Sequence, residues 1–199
     1  QQQQQRQRQR QQQQHHAKEE DPTTTTTLPV ANGFKAFAVV RRADAFWPAD
    51  LWNVVCSDSV FPEIWISSAS ATRVVVVGFA MGHRADRLGD MAPTRVERLF
   101  LSQLDAIFGT DRRPRPATNA CLAFSAFNWS QDPYARGAYT YPSPGSIPLR
   151  QRLAAPLRDR RIFFAGEAVN RDLNPCLQGA MQSGIDAARD ALKAARDHP

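Results

Sequence analysis

Apolar residues gather into short runs along the chain from residue 33 onwards, and these runs predict strands. Phe34 to Val40 and Phe61 to Ile66 are rich in aromatic and β-branched residues, which favour an extended backbone. Thr72 to Ala80 contains four consecutive valines, so we expect a central strand of a sheet there. Thr118 to Trp129 alternates enough between apolar and polar residues to predict a further strand.

One helical pattern interrupts these predicted strands. Thr94 and Glu97 have the spacing of a capping box, which predicts that a helix starts at Thr94. Gly109 is placed to end this helix in the left-handed backbone conformation. The apolar face recurs at helical spacing and predicts a packing role, through Val96, Leu99, Phe100, Leu104, Ile107 and Phe108.

A second pattern near the C-terminus combines a strand with a helix. The apolar run Ile162 to Ala165 predicts a short strand buried on both faces, and Gly166 and Glu167 follow at the strand end, where α/β sheets bind ligands. Asn174-Pro175 predicts a helix N-terminus pointing back toward that end, which suits an anion or a ring that gains negative charge. The helical spacing is carried by Leu177, Met181, Gly184, Ile185, Ala188 and Leu192.

The first 31 residues cannot contribute to a core. Residues 1–14 are glutamine except for Arg6, Arg8 and Arg10, and His15-His16, an acidic patch and five threonines follow. Such a polar, low-complexity segment buries too little apolar surface to offset the entropy of ordering it, so we predict a disordered tail. Two adjacent histidines in such a tail do not form a metal site.

Charge and cysteine content change this picture little. The chain has a net charge of +6, but its arginines are scattered without aromatic interleaving, so no nucleic-acid partner is predicted. No stretch approaches the length of an apolar membrane span. The odd cysteine count, without disulfide-framework spacing, weakly favours a reducing intracellular compartment.

Three separated blocks of sequence resemble one protein family. The run Phe163-Phe164-Ala165-Gly166-Glu167, then Gly179-Ala180-Met181-Gln182-Ser183-Gly184 opening the last helix, resembles the C-terminal FAD-contacting segment of the flavin-dependent amine oxidases. Residues 129–139 resemble the family pattern Trp-x-x-Asp-Pro-x-x-x-Gly-x-Tyr, and the third block is Phe46-Trp47-Pro48 before Phe61-Pro62. The blocks occur in the family's order.

The resemblance implies an α+β/α/β fold in three parts. Residues 1–31 are the tail, residues 32–150 an antiparallel-sheet substrate-binding portion, and residues 151–199 the final strand and helix of an FAD-binding Rossmann-like domain. The family's pyrophosphate-binding Gly-x-Gly-x-x-Gly does not occur in the sequence, and the glycines at 78 and 82 have the wrong spacing. The resemblance therefore implies the C-terminal portion of an oxidase, whose partner is the missing N-terminal FAD-binding half.

The activity implied is oxidation of a C–N bond of an amine by hydride transfer to FAD, with reoxidation by oxygen. Ala138 stands where monoamine oxidases carry the cysteine that bonds to flavin, so the FAD is expected to be non-covalent. The isolated fragment is expected to be inactive. The alternative is a non-catalytic fragment of oxidase origin that acts as an interaction module through its Gln-rich tail.

The resemblance also assigns cofactor contacts. Gly166 and Glu167 match the residues along the ribityl and pyrophosphate part of FAD, although Glu167 could instead be an ordinary solvated carboxylate. Cys176 and Leu177 match residues beside the isoalloxazine ring, and Trp129 belongs to the second matching block. The cofactor-binding set implied is therefore Gly166, Glu167, Cys176, Leu177 and Trp129.

Two further residues are implied in catalysis. Tyr139 matches one wall of the family's aromatic cage for the amine, the alternative being a tyrosine buried in a core. Cys176 stands where a second aromatic wall is common, which implies a roomier entrance. Lys35 matches a lysine that binds a water touching the flavin, although its distance from Phe46 is about two residues longer than usual; the alternative is a strand-edge lysine that discourages aggregation.

Overall fold

The computed structural model describes residues 29–141, 146–157, 161–173 and 175–197. The tail prediction falls largely on residues 1–28, which lie outside the described residues, and there it stays a prediction, whereas Val30 and Ala31 at its end form a strand. The predicted cap Asn174 also lies outside the described residues. The prediction that Pro175 is the first helical residue is wrong, because Pro175 lies in a turn and the last helix begins at Leu177.

Seven strands form two antiparallel sheets in the described residues. The strands are β1 (Val30–Ala31), β2 (Gly33–Arg41), β3 (Asn53–Val55), β4 (Glu63–Ser68), β5 (Arg73–Met81), β6 (Cys121–Asn128) and β7 (Tyr139–Thr140). The main sheet has five strands in the order β3-β4-β5-β2-β6, and a second sheet pairs β1 with β7. The valine run lies in β5, which pairs with β4 on one side and with all of β2 on the other, so the prediction of a central strand is confirmed.

Five α-helices connect and cover these strands within the described ranges. The helices are α1 (His83–Gly89), α2 (Pro93–Phe108), α3 (Pro116–Ala120), α4 (Ile147–Ala154) and α5 (Leu177–Asp197). The sequence patterns missed the short helix α1, and they placed the start of the β6 strand too early because Pro116 begins the helix α3 there. No helix within these ranges is long and apolar enough to cross a membrane.

The hydrophobic core lies between one face of the main sheet and the helix α2. Phe100 of α2 is fully buried, and its ring meets that of Phe61 edge to face at a centroid distance of 4.8 Å. Gly78 of β5 lies beneath this pair, and a Cβ there would come within 2.5 Å of the Phe100 ring. The close approach of the rings therefore requires glycine at position 78. Alternate residues of the central strands complete this core, including Ala36, Ala38, Ile64 and Val76.

The predicted ends of α2 are confirmed to within one residue, but both predicted cap geometries are wrong. The helix begins at Pro93, with Ala92 as its N-cap and without a side-chain capping bond, so Thr94 lies inside the first turn. Proline at the first position starts the helix because its fixed φ is already helical. Gly109 has φ −70° and ψ 149°, which is extended rather than left-handed backbone. Glycine is needed there because a Cβ would collide with the carbonyl oxygen of Asp105.

The C-terminal segment departs from the prediction at its strand. The run Ile162 to Ala165 belongs to no sheet among the described residues, and only an isolated bridge joins Leu157 to Ile162. Ile162 and Phe164 are each 37% exposed, so the prediction of a strand buried on both faces is wrong for this structure. A parallel strand depends on hydrogen bonds from neighbouring strands, and none of the described strands lies beside this run.

The helix α5 follows the predicted helical spacing but turns its large side chains outward. Its buried residues are the small ones Gly179, Ser183 and Ala194. The residues that carry the predicted apolar face are exposed, with Leu177 at 77% and Leu192 at 61%. The small residues let the helix pack closely on the turn at Glu167–Val169, and the large ones form a separate outer face.

Candidate functional site

The open face of the main sheet lies opposite the helix α2. Along β2, Phe34 and Ala36 are buried against the helices, while Lys35 and Phe37 alternate with them and stay half-buried. This alternation follows from the strand period of two. On this open face, none of the described helices covers the side chains of Lys35 and Phe37 completely.

Lys35 stands in the middle of this open face. It is paired with Phe79 of β5 on one side and with Phe127 of β6 on the other. Since β2 is an interior strand, the alternative interpretation of Lys35 as a strand-edge residue is wrong. Its Nζ lies 5.6 Å from the ring centroids of both Trp65 and Phe79.

The second family block runs from the end of β6 to β7. The Trp129 ring packs edge to face on Phe127, with a centroid distance of 4.8 Å. Asp132 then closes the predicted turn, since its Oδ1 accepts hydrogen bonds from the backbone N–H groups of Tyr134 at 2.9 Å and Ala135 at 2.7 Å. These contacts keep Trp129 beside the open sheet face.

Ala138 and Trp129 both lie against Gly33, at the start of β2. A Cβ on Gly33 would come within 2.7 Å of the Ala138 Cβ and 3.5 Å of Trp129 Cδ1. The Ala138 N–H also donates to the Ala31 carbonyl at 2.8 Å. The end of the second block therefore packs against the start of β2, at a residue two positions before Lys35.

Tyr139 lies in β7, opposite Ala31, and is half-buried. Burial raises the pKa of its hydroxyl above the ordinary value of 10.0, and the negative charge of Glu63 raises it further. Glu63 pairs with Phe79, which puts it in register with Lys35 across the sheet.

Tyr139 also lines an open cavity of about 840 Å³ between the small sheet and the helix α1. Pro175, which precedes the proposed second wall Cys176, lines the same cavity. Cys176 and Leu177 are exposed at the start of α5 and lie outside the cavity lining. The structure thus brings Tyr139 close to the loop of Cys176.

Glu167 binds the neighbour of Tyr139. Its Oε1 accepts a hydrogen bond from the Thr140 backbone N–H at 2.9 Å, and its Oε2 accepts one from the Thr140 hydroxyl at 2.8 Å. The alternative of an ordinary solvated carboxylate is therefore wrong. Sequence reasoning missed Thr140, because nothing in the local pattern indicates a contact across 27 residues.

Gly166 and Ser183 join the two halves of the C-terminal family block. The Ser183 hydroxyl accepts from the Gly166 N–H at 2.9 Å and lies within donor distance of two carbonyls, Gly166 at 2.9 Å and Ala180 at 2.8 Å. Gly166 has φ +142°, a conformation that side chains rarely adopt. A Cβ there would meet nothing within 4 Å, so the requirement for glycine is conformational and leaves the adjacent backbone open to a ligand.

The residues matched to the cofactor by sequence have chemistry that fits a flavin. Gly166 has an open backbone, Glu167 has a carboxylate, and Trp129 and Leu177 have exposed apolar side chains. The glycine motif that would bind the pyrophosphate is missing from the sequence. Among the described residues, no group of three or more His, Cys, Asp or Glu side chains could hold a metal ion.

Comparison with known proteins decides the family. A sequence profile described as flavin containing amine oxidoreductase matches residues 28–192. The chain belongs to this family. It is similar to lysine-specific histone demethylase 1 homolog 1 from Arabidopsis thaliana, with 32% identity over 61% of this chain and 14% of that protein. It is also similar to probable polyamine oxidase 4 from Arabidopsis thaliana, with 29% identity over 77% of this chain and 30% of that protein.

A solved structure shares the fold. Cyclohexylamine oxidase from Brevibacterium oxydans IH-35A superposes with a TM-score of 0.65 at 22% identity, over 83% of this chain and 36% of that chain. At this identity the likeness shows the fold alone. The chain thus spans about a third of that family member's length.

Proposed function

We propose that this chain supplies the substrate-binding portion and the flavin-closing segment of an FAD-dependent amine oxidase. The observation that carries the proposal is the contact between its sequence blocks. Glu167 binds Thr140, directly beside Tyr139, although the two blocks are separated by the helix α4. Residues assigned to the cofactor and to the amine are thereby joined at one place.

FAD, when bound, accepts a hydride from the carbon beside the amine nitrogen and passes the electrons to oxygen. The residues of this chain provide position and electrostatics. Tyr139 presents one aromatic wall to the amine, and the Lys35 ammonium donates a hydrogen bond to a water that assists proton transfer. Cys176, with a small side chain at the second wall, admits bulky or secondary amines.

The binding of FAD in this proposal is non-covalent. Ala138 has only a methyl group, packed beside Gly33, and cannot form a bond to the ring. Gly166, Glu167, Trp129 and Leu177 supply contacts from this side, while the pyrophosphate is held by the missing N-terminal half. That half also covers the outer apolar face of α5.

The first test uses sequence encoded upstream of Gln1. If Gly-x-Gly-x-x-Gly is encoded in frame, the longer protein is expected to carry a stoichiometric flavin and to produce peroxide when an amine is added. The 199-residue chain alone is expected to retain no flavin, because a cofactor site needs both walls. A longer protein that binds no flavin would contradict the proposal.

The second test separates the roles of the site residues in that longer protein. Lys35→Met keeps the side-chain length but removes the charge, so it is expected to slow flavin reduction or reoxidation much more than it lowers flavin content. Cys176→Tyr is expected to shift kcat/KM toward small primary amines. Unchanged rates in both half-reactions would remove Lys35 from the mechanism, and an unchanged substrate ratio would remove Cys176 from the second wall.

The competing function is a non-catalytic interaction module that uses the Gln-rich tail. A start codon directly before Gln1 would favour it. No contact of the described residues favours this function.

A further inference from the structure

The ammonium of Lys35 contacts two aromatic faces. Its Nζ lies 5.6 Å from the centroid of the Trp65 ring and 5.6 Å from that of Phe79. The two rings stack on each other with a centroid distance of 5.2 Å and an interplanar angle of 26°. A cation within about 6 Å of a ring face is attracted by the ring quadrupole. In the described part of the chain, no carboxylate forms an ion pair with Lys35.

The strand register builds this arrangement. Lys35 lies directly opposite Phe79, whereas Trp65 lies one strand further away, in β4, opposite Val77. The lysine side chain must therefore extend across β5 to approach the Trp65 ring. Holding a lysine side chain in one extended conformation costs conformational entropy. Attraction to two stacked rings offsets that cost.

We propose that Trp65 and Phe79 are positioning residues, which hold the Lys35 ammonium over the open face of the sheet. The inference rests on the proposed function, in which Lys35 holds a water beside the reacting amine. A carboxylate at the same place would accept the N–H groups and offset the charge. Ring faces restrict the ammonium while leaving its N–H donors to water.

Glu63 is the nearest competitor for this role. It lies on β4, two residues before Trp65, and pairs with Phe79. Its negative charge also raises the pKa of Tyr139. If Glu63 rather than the rings holds Lys35, removal of its charge will release the side chain. The experiment therefore includes Glu63→Gln.

The test is nuclear magnetic resonance of the 199-residue chain with isotope-labelled lysine. The sequence has only three lysines, Lys18, Lys35 and Lys193, and Lys35→Arg identifies the signals of interest. Ring currents are expected to displace the Lys35 side-chain signals relative to those of Lys193. The displacement is then measured in Trp65→Leu, Phe79→Leu and the double variant.

If the two rings hold Lys35 together, the losses of chemical-shift displacement will not be additive. Each single variant removes one ring and also frees the lysine side chain from the other ring. The losses of displacement in the two single variants therefore sum to more than the loss in the double variant. Trp65→Phe keeps a ring face and should retain most of the displacement. Trp52→Leu, at an exposed tryptophan away from Lys35, should change nothing.

Two outcomes overturn the proposal. Additive losses would mean that the rings are neighbours of Lys35 without holding it, and a loss in Glu63→Gln as large as that in Trp65→Leu would assign the role to the carboxylate. If a leucine variant unfolds, Trp65→Phe and Phe79→Tyr still test whether the ring faces suffice. The readout uses no flavin and no turnover, so its failure is distinct from a failure of the proposed function.

Discussion

The helix α2 buries its large apolar residues against the main sheet, whereas the helix α5 of the C-terminal segment exposes its own. Phe100 in α2 is 0% exposed, whereas Leu177 and Leu192 in α5 are 77% and 61% exposed. Both helices carry an apolar stripe at helical spacing. The difference lies in what each packs against, because α2 covers the sheet with its large residues and α5 covers a short turn with its small ones.

The two regions therefore differ in how much of their apolar surface is covered by other residues of this chain. The sheet and α2 form a core from residues of this chain alone. The C-terminal segment contacts the small sheet through the hydrogen bonds of Glu167 with Thr140 in β7, and the large apolar side chains of α5 are exposed.

The largest expected effect breaks the core on one side of the comparison. Phe100→Ala should lower the free energy of unfolding by about 3 to 5 kcal/mol, because it leaves a cavity against Phe61 and Gly78. Leu192→Ala, the matched change on the outer face of α5, should cost less than about 0.5 kcal/mol. Urea unfolding of both variants measures the contrast. Equal costs would mean that α5 is buried in solution.

The next effect loosens the link between the two regions. Glu167→Ala removes the acceptor for both the Thr140 N–H and its hydroxyl, and it should cost about 1 to 3 kcal/mol. Glu97→Ala, at another half-buried glutamate, is the control. Limited proteolysis should cut the Glu167 variant faster between α4 and α5. If both variants resist protease equally, the Glu167 contact does not anchor the segment.

A smaller effect acts within the C-terminal segment. Ser183→Ala leaves the Gly166 N–H without its acceptor and should cost about 1 kcal/mol. Ser125→Ala, at an exposed position of β6, should be neutral within about 0.5 kcal/mol. Thermal unfolding of both variants compares them. A neutral Ser183→Ala would show that water replaces the serine hydroxyl.

The smallest effect concerns the pH dependence at the site. The folded pKa of Tyr139 lies above the ordinary 10.0, through burial and then the charge of Glu63. As pH rises above 10.0, the tyrosine loses its proton in the unfolded chain before it does so in the folded chain. The stability that is fully present below pH 10.0 is therefore lost as pH rises through the folded pKa. Tyr139→Phe should remove this alkaline loss.

Glu63→Gln sharpens the same measurement. It should lower the Tyr139 pKa toward its ordinary value without reaching it, because burial is the larger cause. Tyrosinate absorbance, with Tyr139→Phe subtracted, follows the titration separately from Tyr134 and Tyr141. A Tyr139 pKa at the ordinary value of 10.0 would contradict its half-buried placement.

Local patterns predicted the strands better than the helix ends. The valine run identified β5 because β-branched residues favour extended backbone and a central strand needs little polarity. The capping box failed because Pro93, one residue earlier, already starts the helix. The short helix α1 was missed because only Ala85 and Leu88 in it are buried, which is too few for a visible period.

The sequence by itself determined the strands β2, β4, β5 and β6, the helices α2 and α5 and, through motif order, the family and the identity of the candidate residues. Only the tertiary structure decided their contacts. It brought Glu167 to Thr140, Ser183 to Gly166, and Lys35 to the rings of Trp65 and Phe79. The physical reason is that strand and helix periods are written in neighbouring residues, whereas these contacts depend on sheet register and packing between segments that are distant along the chain.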